Sequence, residues 1–438
     1  MRPAANGAAI LGFKTGAAAS QFLLLVMTAR LFGVAFRGEI AIFNATINLL
    51  VLVVGFSGGA SIVYLAANDA SRRHLFHLLA VSYFFCVAIP LLVATGARMF
   101  GHSLGPETPL VVFVSVLNAM LLVNTYVLVA GRRAWQASLL EFLRPFSIIA
   151  IGAAVALSRG YRAPSEFYLV WAGAAVLSLL LSVPLLVLHY RALSPDQQDR
   201  EPSTFRSVAR RLVGFGSLAQ ASNVVQFLNY RSLFFALERH AGLAAVGLFS
   251  TAVSLAEVMW IPANSIAVIV LNRVSRSASE QGTRDFLMRM ARLTFVAMGV
   301  SAVVASLVPV QGLTALLGRD FGGVRALLLQ LMPGVVALGC ALVASSYNAG
   351  RAFYMRNLVA TLAGLCLTLA GFFWLIPRFG PAGAVMAMNA SYLVTSIWLM
   401  AGFIRSEAAT WKDLLPRASD LGSFGALREP PGDVGPRS

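Results

Sequence analysis

The chain alternates between long apolar runs and short polar connections. Apolar windows of about 20 residues recur about twelve times, and each is long enough to cross a bilayer as a helix. The runs lack the period-two alternation of barrel strands, and hydrocarbon requires internal pairing of every backbone polar group. The pattern predicts an all-α membrane protein with spans near Gly7–Leu31, Ile40–Ala67, Leu75–Gly96, Pro109–Ala130, Ala137–Leu157, Phe167–Leu188, Leu212–Leu237, Leu243–Leu271, Leu293–Leu317, Ala326–Ala349, Leu358–Ile376 and Ala382–Phe403.

A polar, charged segment near the centre of the chain divides the spans into two sets. We therefore expect an N-terminal six-helix bundle over residues 1–190, a cytoplasmic linker over 191–210 and a C-terminal six-helix bundle over 211–405. Residues 406–438 have too little apolar content to fold alone, so we predict a disordered cytoplasmic tail.

The two halves resemble each other. Gln21-Phe22-Leu23 in the first span recurs as Gln226-Phe227-Leu228 in the seventh, 205 residues later, and a shift of 206 places Asn48 on Ser254. Six spans per half give both halves the same orientation. The sequence therefore predicts a parallel pseudo-two-fold repeat, with a substrate path at the interface of the halves.

The charge distribution agrees with a membrane protein. Only 12% of the residues are charged, whereas soluble domains have about 25%. The net charge of +16 would suggest nucleic-acid binding in a soluble domain, but here the arginines lie mostly in connections between spans, which argues against it. Of the 34 lysines and arginines, 22 fall on the side that carries both termini, which predicts cytoplasmic termini.

Polar side chains recur on single faces of four predicted spans. Because such side chains are costly in hydrocarbon, these faces normally look into protein or a water-filled cavity. We predict a substrate path, and ordinary hydrogen bonding between helices is the alternative for each residue. The residues are Lys14 and Gln21 in the first span, Asn44 and Asn48 in the second, Gln220, Asn223 and Gln226 in the seventh, and Ser250, Ser254, Glu257 and Asn264 in the eighth.

The ionisable residues inside the spans each allow two interpretations. Glu257 either couples transport to an ion or is a neutral core residue, and Lys14 either contacts substrate or extends to the cytoplasmic surface. Glu141 and Arg144 are three residues apart and are expected to form an ion pair. Arg30, Arg37 and Arg231, near the outer ends of spans, are either anchors or a cationic exit that belongs to the path.

The sequence carries no motif for catalysis, for a metal or for another cofactor. The three cysteines lie inside apolar runs without disulfide or zinc spacing, and the five histidines form no metal motif. A transporter without a nucleotide site would be driven by an ion gradient or a membrane potential.

Two segments near the N-terminus resemble the polysaccharide-biosynthesis (Wzx-type) flippases. They are Thr28-Ala29-Arg30-Leu31-Phe32-Gly33 with the following Arg37-Gly38-Glu39, and residues 40–67 with Gly55-Phe56-Ser57-Gly58-Gly59-Ala60. The superfamily also contains MATE multidrug exporters and lipid II flippases. The resemblance implies alternating access and export of an undecaprenyl-pyrophosphate-linked oligosaccharide from the inner to the outer leaflet of a bacterial cytoplasmic membrane. It also implies a polymerase and glycosyltransferases as partners beside membrane lipids. The scarcity of lysine departs from the usual pattern.

Two other functions compete with the flippase. A cation-coupled MATE-type exporter usually holds an acid in the first or seventh span. Here the first span has Lys14 and the seventh has no acid before Glu238, although Glu257 in the eighth keeps this reading open. A membrane glycosyltransferase or polymerase needs a large external loop or an acidic pair, and the external connections here are short.

Overall fold

The computed structural model describes residues 3–57, 62–63, 65–66, 72–101, 107–193, 205–276 and 283–414. Over these residues the chain is helical and contains no β-strand. Short helices cover Gly55–Ser57, Arg319–Phe321, Gly371–Leu375 and Trp411–Leu414. The α-helices are α1 (Pro3–Val54), α2 (Arg72–Met99), α3 (Thr108–Ala130), α4 (Ala134–Ser158), α5 (Glu166–Arg191), α6 (Phe205–Val258), α7 (Ile261–Arg276), α8 (Thr283–Leu307), α9 (Val310–Leu317), α10 (Val324–Gly350), α11 (Tyr354–Ala370) and α12 (Ile376–Ser406).

Within the described residues, nine helical stretches are long and apolar enough to cross a membrane. Three of them contain a glycine with positive φ that interrupts the helix, namely Gly33, Gly242 and Gly380. Glycine adopts this conformation readily because it has no Cβ. The chain is therefore a multi-pass helical membrane protein, which confirms the predicted fold class. Division of the three stretches at their glycines gives twelve segments.

The structure differs from several predicted span boundaries. The predicted span Leu243–Leu271 is interrupted, because α6 ends at Val258 and α7 begins at Ile261. The predicted connection between the first two spans is reduced to Gly33, since no other residue inside α1 leaves helical geometry. The predicted span Leu293–Leu317 is broken, because α8 ends at Leu307 and α9 begins at Val310. Pro309 explains the break, since proline lacks an N–H and disfavours helical geometry in the preceding Val308.

The predicted tail begins with structure rather than disorder. The backbone N–H and the hydroxyl of Thr410 donate to the Asp413 carboxylate at 2.9 and 3.0 Å, and Arg292 donates to the Asp413 carbonyl at 3.1 Å. Leu414 is buried. These contacts order the start of the tail, whereas residues 415–438 lie outside the described part of the chain, as do residues 194–204 of the predicted linker.

The chain divides into two compact units. Unit 1 comprises Met1–Thr251, Val310–Val324 and Ile376–Pro381, and unit 2 comprises Ala252–Pro309, Arg325–Leu375 and Ala382–Ser438. The core of unit 1 is built around aromatic side chains of α1 and α5, where the Phe43 and Tyr168 rings lie 4.5 Å apart. The core of unit 2 includes Tyr347 and Phe403, whose rings lie 5.3 Å apart. The predicted bundle boundaries stay a prediction.

Candidate functional site

The helices α1 and α6 meet at two glycines in unit 1. A Cβ on Gly38 would overlap the Leu243 carbonyl oxygen, and a Cβ on Gly247 would overlap the Val34 carbonyl oxygen. Only glycine lets two backbones approach this closely. We call this crossing the kink contact, because it lies just after the glycine kinks of both helices.

The two kinks have nearly the same geometry. Gly33 has φ 78° and ψ −175°, and Gly242 has φ 81° and ψ 173°. They are 209 residues apart in the sequence, and so are Gly38 and Gly247. Because Val34 and Leu243 have the same offset, the kink contact is reciprocal, as a pseudo-two-fold relation requires.

This offset corrects the register of the repeat predicted from sequence identities. Shifts of 205 and 206 do not place Gly33 on Gly242, whereas a shift of 209 does. With that shift Asn48 corresponds to Glu257 and not to Ser254. Backbone geometry fixes the register, since a change of three residues rotates a helical side chain by about 300°. In both helices a second glycine follows the kink glycine by five residues. This shared spacing is visible in the sequence and indicates the offset of 209, whereas the short sequence identities do not.

A second contact joins the same helices far from the kinks. The Gln220 side-chain nitrogen donates to the Leu52 carbonyl at 2.6 Å, and Asn223 donates to the Gln220 side-chain oxygen at 3.3 Å. A Cβ on Gly55 would overlap the Gln220 amide. We call this the amide contact. It lies about 20 Å from the kink contact along α1, at 1.5 Å per residue.

Three further predicted polar residues lie between these contacts along the two helices, namely Asn44, Asn48 and Gln226. Asn48 donates to Asn44 at 3.1 Å, and both are half-buried. Spacings of four and three residues place both asparagines on the face of α1 that carries Leu52 and Gly55, which contacts α6. Gln226 of α6 is half-buried, whereas Asn223 is exposed. Unit 1 therefore places Asn44 and Asn48 on the face of α1 that contacts Gln220 of α6 farther along, at Leu52 and Gly55.

Two arginines lie within electrostatic range of each other, and one of them, Arg37, is four residues from the Gly33 kink. The charge of Arg231 acts on that of Arg37, and the two guanidinium groups repel each other. Nε of Arg37 is buried and has no hydrogen-bond partner within the described residues. Arg231 packs over Phe234, with its guanidinium carbon 5.3 Å from the ring centroid. A partly buried cation with an N–H donor that has no partner among the described residues favours a nearby anion.

Arg30 has a structural contact instead of a free position in the path. Its Nε donates to the Leu316 carbonyl at 2.9 Å, and its Nη2 donates to the Ala315 carbonyl. These carbonyls belong to the last turn of α9, whose partial negative charge attracts cations. Arg30 thus caps α9, which the sequence predicts as the end of the span Leu293–Leu317.

The remaining predicted residues differ in exposure and in the unit to which they belong. Lys14 and Gln21 are exposed on α1, whereas Glu257 is half-buried near the end of α6 and belongs to unit 2. The predicted Glu141–Arg144 ion pair is wrong, because no such pair forms among the described residues. Glu141 is exposed and lies within electrostatic range of Tyr126 on α3.

The fold is similar to solved transporter structures, although neither a protein-family model nor a curated protein matches the chain. An inward-facing multidrug resistance MATE family transporter of the MOP superfamily gives a TM-score of 0.70 at 15% identity, over 89% of this chain and 95% of that one. The lipid II flippase MurJ, in an inward closed conformation, gives 0.71 at 13% identity, over 92% and 89%. An outward-facing MATE transporter gives 0.59 at 14% identity, over 90% and 96%. These low identities show the fold alone.

Proposed function

We propose that the protein flips an undecaprenyl-pyrophosphate-linked oligosaccharide from the inner to the outer leaflet of a bacterial cytoplasmic membrane, for surface polysaccharide biosynthesis. The observation that carries the proposal is that Arg37, whose buried Nε has no hydrogen-bond partner among the described residues, lies on the same face of α1 as Asn44 and Asn48, seven and eleven residues later. Similar solved structures include a lipid II flippase, which supports the same class of activity.

The arginines suit a pyrophosphate. A partly buried charge is costly unless it is paired, and Nε of Arg37 has no hydrogen-bond partner within the part of the chain that the structure describes. The like charge of Arg231, within electrostatic range, adds to that cost, and a pyrophosphate bound at Arg37 would lower it. The guanidinium group also matches phosphate oxygens with paired N–H donors, which an ammonium group does not.

The amide side chains suit a sugar. Asn44, Asn48, Gln220 and Asn223 present carboxamides, each with two donors and one acceptor oxygen, and sugar hydroxyls both donate and accept. The polar region between the two contacts would thus receive the head group, while the polyprenyl chain remains in lipid.

The two contacts provide the elements that alternating access needs. In the part of the chain that the structure describes, the amide contact includes a hydrogen bond from Gln220 to Leu52, and such bonds are worth about 0.5–1.5 kcal/mol net. The kink contact rests on close backbone packing without intervening side chains. Release of the amide contact would admit substrate from one side of the membrane, and release of the kink contact would discharge it on the other.

Reconstitution into liposomes tests the proposal. The substrate is a labelled undecaprenyl-pyrophosphate oligosaccharide, and its arrival in the opposite leaflet is measured with a membrane-impermeant glycosidase. We expect the wild type to translocate it and the double variant R37Q/R231Q to be at least tenfold slower. R98Q is the matched control, because Arg98 is an exposed arginine of the same unit. Equal rates for the double variant and R98Q would reject the proposed role of the arginine pair.

A cation-coupled MATE-type exporter is the second candidate. Half-buried Glu257 supports it, since an acid in a membrane span can exchange a proton or bind a cation. Similar solved structures include multidrug transporters. Ethidium export driven by an imposed pH or sodium gradient, lost in E257Q, would favour this function if the same liposomes move no lipid-linked oligosaccharide.

A further inference from the structure

Unit 2 contains an open pocket of about 530 Å³ at one end of its helices. Its walls come from the last turns of α10, the first turn of α11 and the second half of α12. A volume in this range holds a small ligand or part of a larger one. The pocket lies within one unit and does not include the polar region of unit 1.

One end of the pocket is basic and held in place. Arg356 donates from Nη1 to the Ser406 hydroxyl at 2.7 Å, and its guanidinium carbon lies 4.4 Å from the centroid of the Phe353 ring. Arg405, one residue before Ser406, is exposed and also lines the pocket. Asn348 on the same wall is 2% exposed, and its side-chain oxygen has no hydrogen-bond partner in the described part of the chain.

The other end of the pocket is apolar and exposed. Ile397 and Trp398 line it with 60% and 50% of their surfaces exposed. Ile397 precedes Arg405 by eight residues, which is about 12 Å along the helix. Beside Gly402 there is open space, since a Cβ built there would meet no atom within 4 Å. Polarity therefore changes along the pocket from cationic to apolar.

We propose that this pocket binds an anionic phospholipid, with the phosphate between Arg356 and Arg405 and the start of an acyl chain along Ile397 and Trp398. Basic pockets between membrane helices suit phospholipid head groups, and tryptophan is enriched at the membrane interface. The site is separate from the path proposed for the transported substrate, so it adds a bound lipid to that function.

Charge complementarity selects this occupant over a zwitterionic lipid or a second copy of the chain. Among the described residues that line the pocket there are two arginines and no acid. Arg351 and Glu407, both within electrostatic range of Tyr347 beside the pocket, offset each other. Two positive charges remain, and each basic residue near an anionic head group contributes about 1 kcal/mol.

Quenching of Trp398 fluorescence tests the proposal with the full-length protein in phosphatidylcholine vesicles. Brominated phosphatidylglycerol or brominated phosphatidylcholine is added as a minor component, and the W398F variant identifies the Trp398 signal among the six tryptophans. We expect stronger quenching by the anionic lipid at equal mole fraction. The preference should fall about fivefold for R356Q and again for R405Q. K412Q is the matched control, because Lys412 is an exposed cation of unit 2 outside the pocket lining.

A steric variant separates the pocket from general surface charge. G402L places a side chain in the open space of the pocket, whereas G299L adds the same side chain to α8, where a Cβ also meets no atom within 4 Å. We expect G402L to abolish the lipid preference and G299L to retain it. Equal quenching by both lipids in the wild type, or an unchanged preference in G402L and in R356Q/R405Q, would overturn the proposal. A change of oligomeric state in G402L without a change in lipid preference would assign the pocket to a second copy of the chain and overturn it too.

Discussion

Gly38 of α1 lies against the backbone of Leu243, and its counterpart Gly247 of α6 lies against the backbone of Val34. Each glycine follows a kink by five residues, and both kinks have the same backbone geometry. The reciprocal contact relates the second and eighth spans by a pseudo-two-fold axis within unit 1. It also identifies the point at which those spans have to separate if the kink end opens.

Alanine at either glycine of the kink contact should separate the helices. The added Cβ of G38A overlaps a backbone oxygen, and overpacking of this kind costs about 1–3 kcal/mol. That cost outweighs the roughly 1 kcal/mol that alanine gains in helix propensity. We expect a lower melting temperature of the purified protein and greater labelling of a cysteine placed near the kinks. G12A is the control, because Gly12 of the same helix has no atom within 4 Å of its Cβ position, and an equal effect of G12A would contradict the prediction.

Alanine at Gln220 should loosen the amide contact without unfolding the protein. It removes the 2.6 Å hydrogen bond to the Leu52 carbonyl, a loss of about 1 kcal/mol. Such a loss shifts the population of two closely balanced conformations about fivefold. The measurement is maleimide labelling of a cysteine that replaces Leu49, a half-buried residue one helical turn before Leu52. The labelling is done in a background in which the exposed Cys366 is serine. N223A, which removes an exposed donor to Gln220, should have a smaller effect, and the reverse order would count against the assignment.

Methionine at Arg37 should stabilise the empty protein and impair transport. The substitution removes a partly buried charge, whose Nε has no hydrogen-bond partner in the described part of the chain, and its repulsion with Arg231. We expect a higher melting temperature for R37M without substrate. Inorganic pyrophosphate should raise the melting temperature of the wild type, because a ligand that binds the folded state stabilises it, and should have little effect on R37M. A lower melting temperature of R37M without substrate would show that Arg37 is paired and structural.

Glutamine at Arg30 should affect stability more than anion binding. Arg30 donates to two carbonyls at the end of α9, and its side chain is exposed, so the expected loss is about 1 kcal/mol or less. The pyrophosphate-induced rise in melting temperature should be unchanged in R30Q, in contrast to R37M. Loss of that rise in R30Q would return Arg30 to the substrate path.

The sequence predicts the spans well because bilayer thickness alone sets the length of an apolar helix. It predicts the span boundaries less well where a single residue sets the backbone conformation. Pro309 breaks an apolar run, and Gly33 alone forms the connection between the first two spans. Arg30 shows a third limit, because its partner Leu316 lies 286 residues away and no local pattern reveals the contact. Helical periodicity places Asn44 and Asn48 on one face of α1 before any tertiary contact is known, whereas their role in a substrate path stays a prediction.

The spacing of five residues from Gly33 to Gly38 limits where related sequences can change in length. Most connections between elements accept insertions, because they run over the surface as loops. Here one inserted residue would turn the rest of α1 by about 100° and carry Gly38 away from Leu243. Natural variants should therefore change length elsewhere and keep four residues between these glycines, and an epitope inserted there should abolish assembly of unit 1.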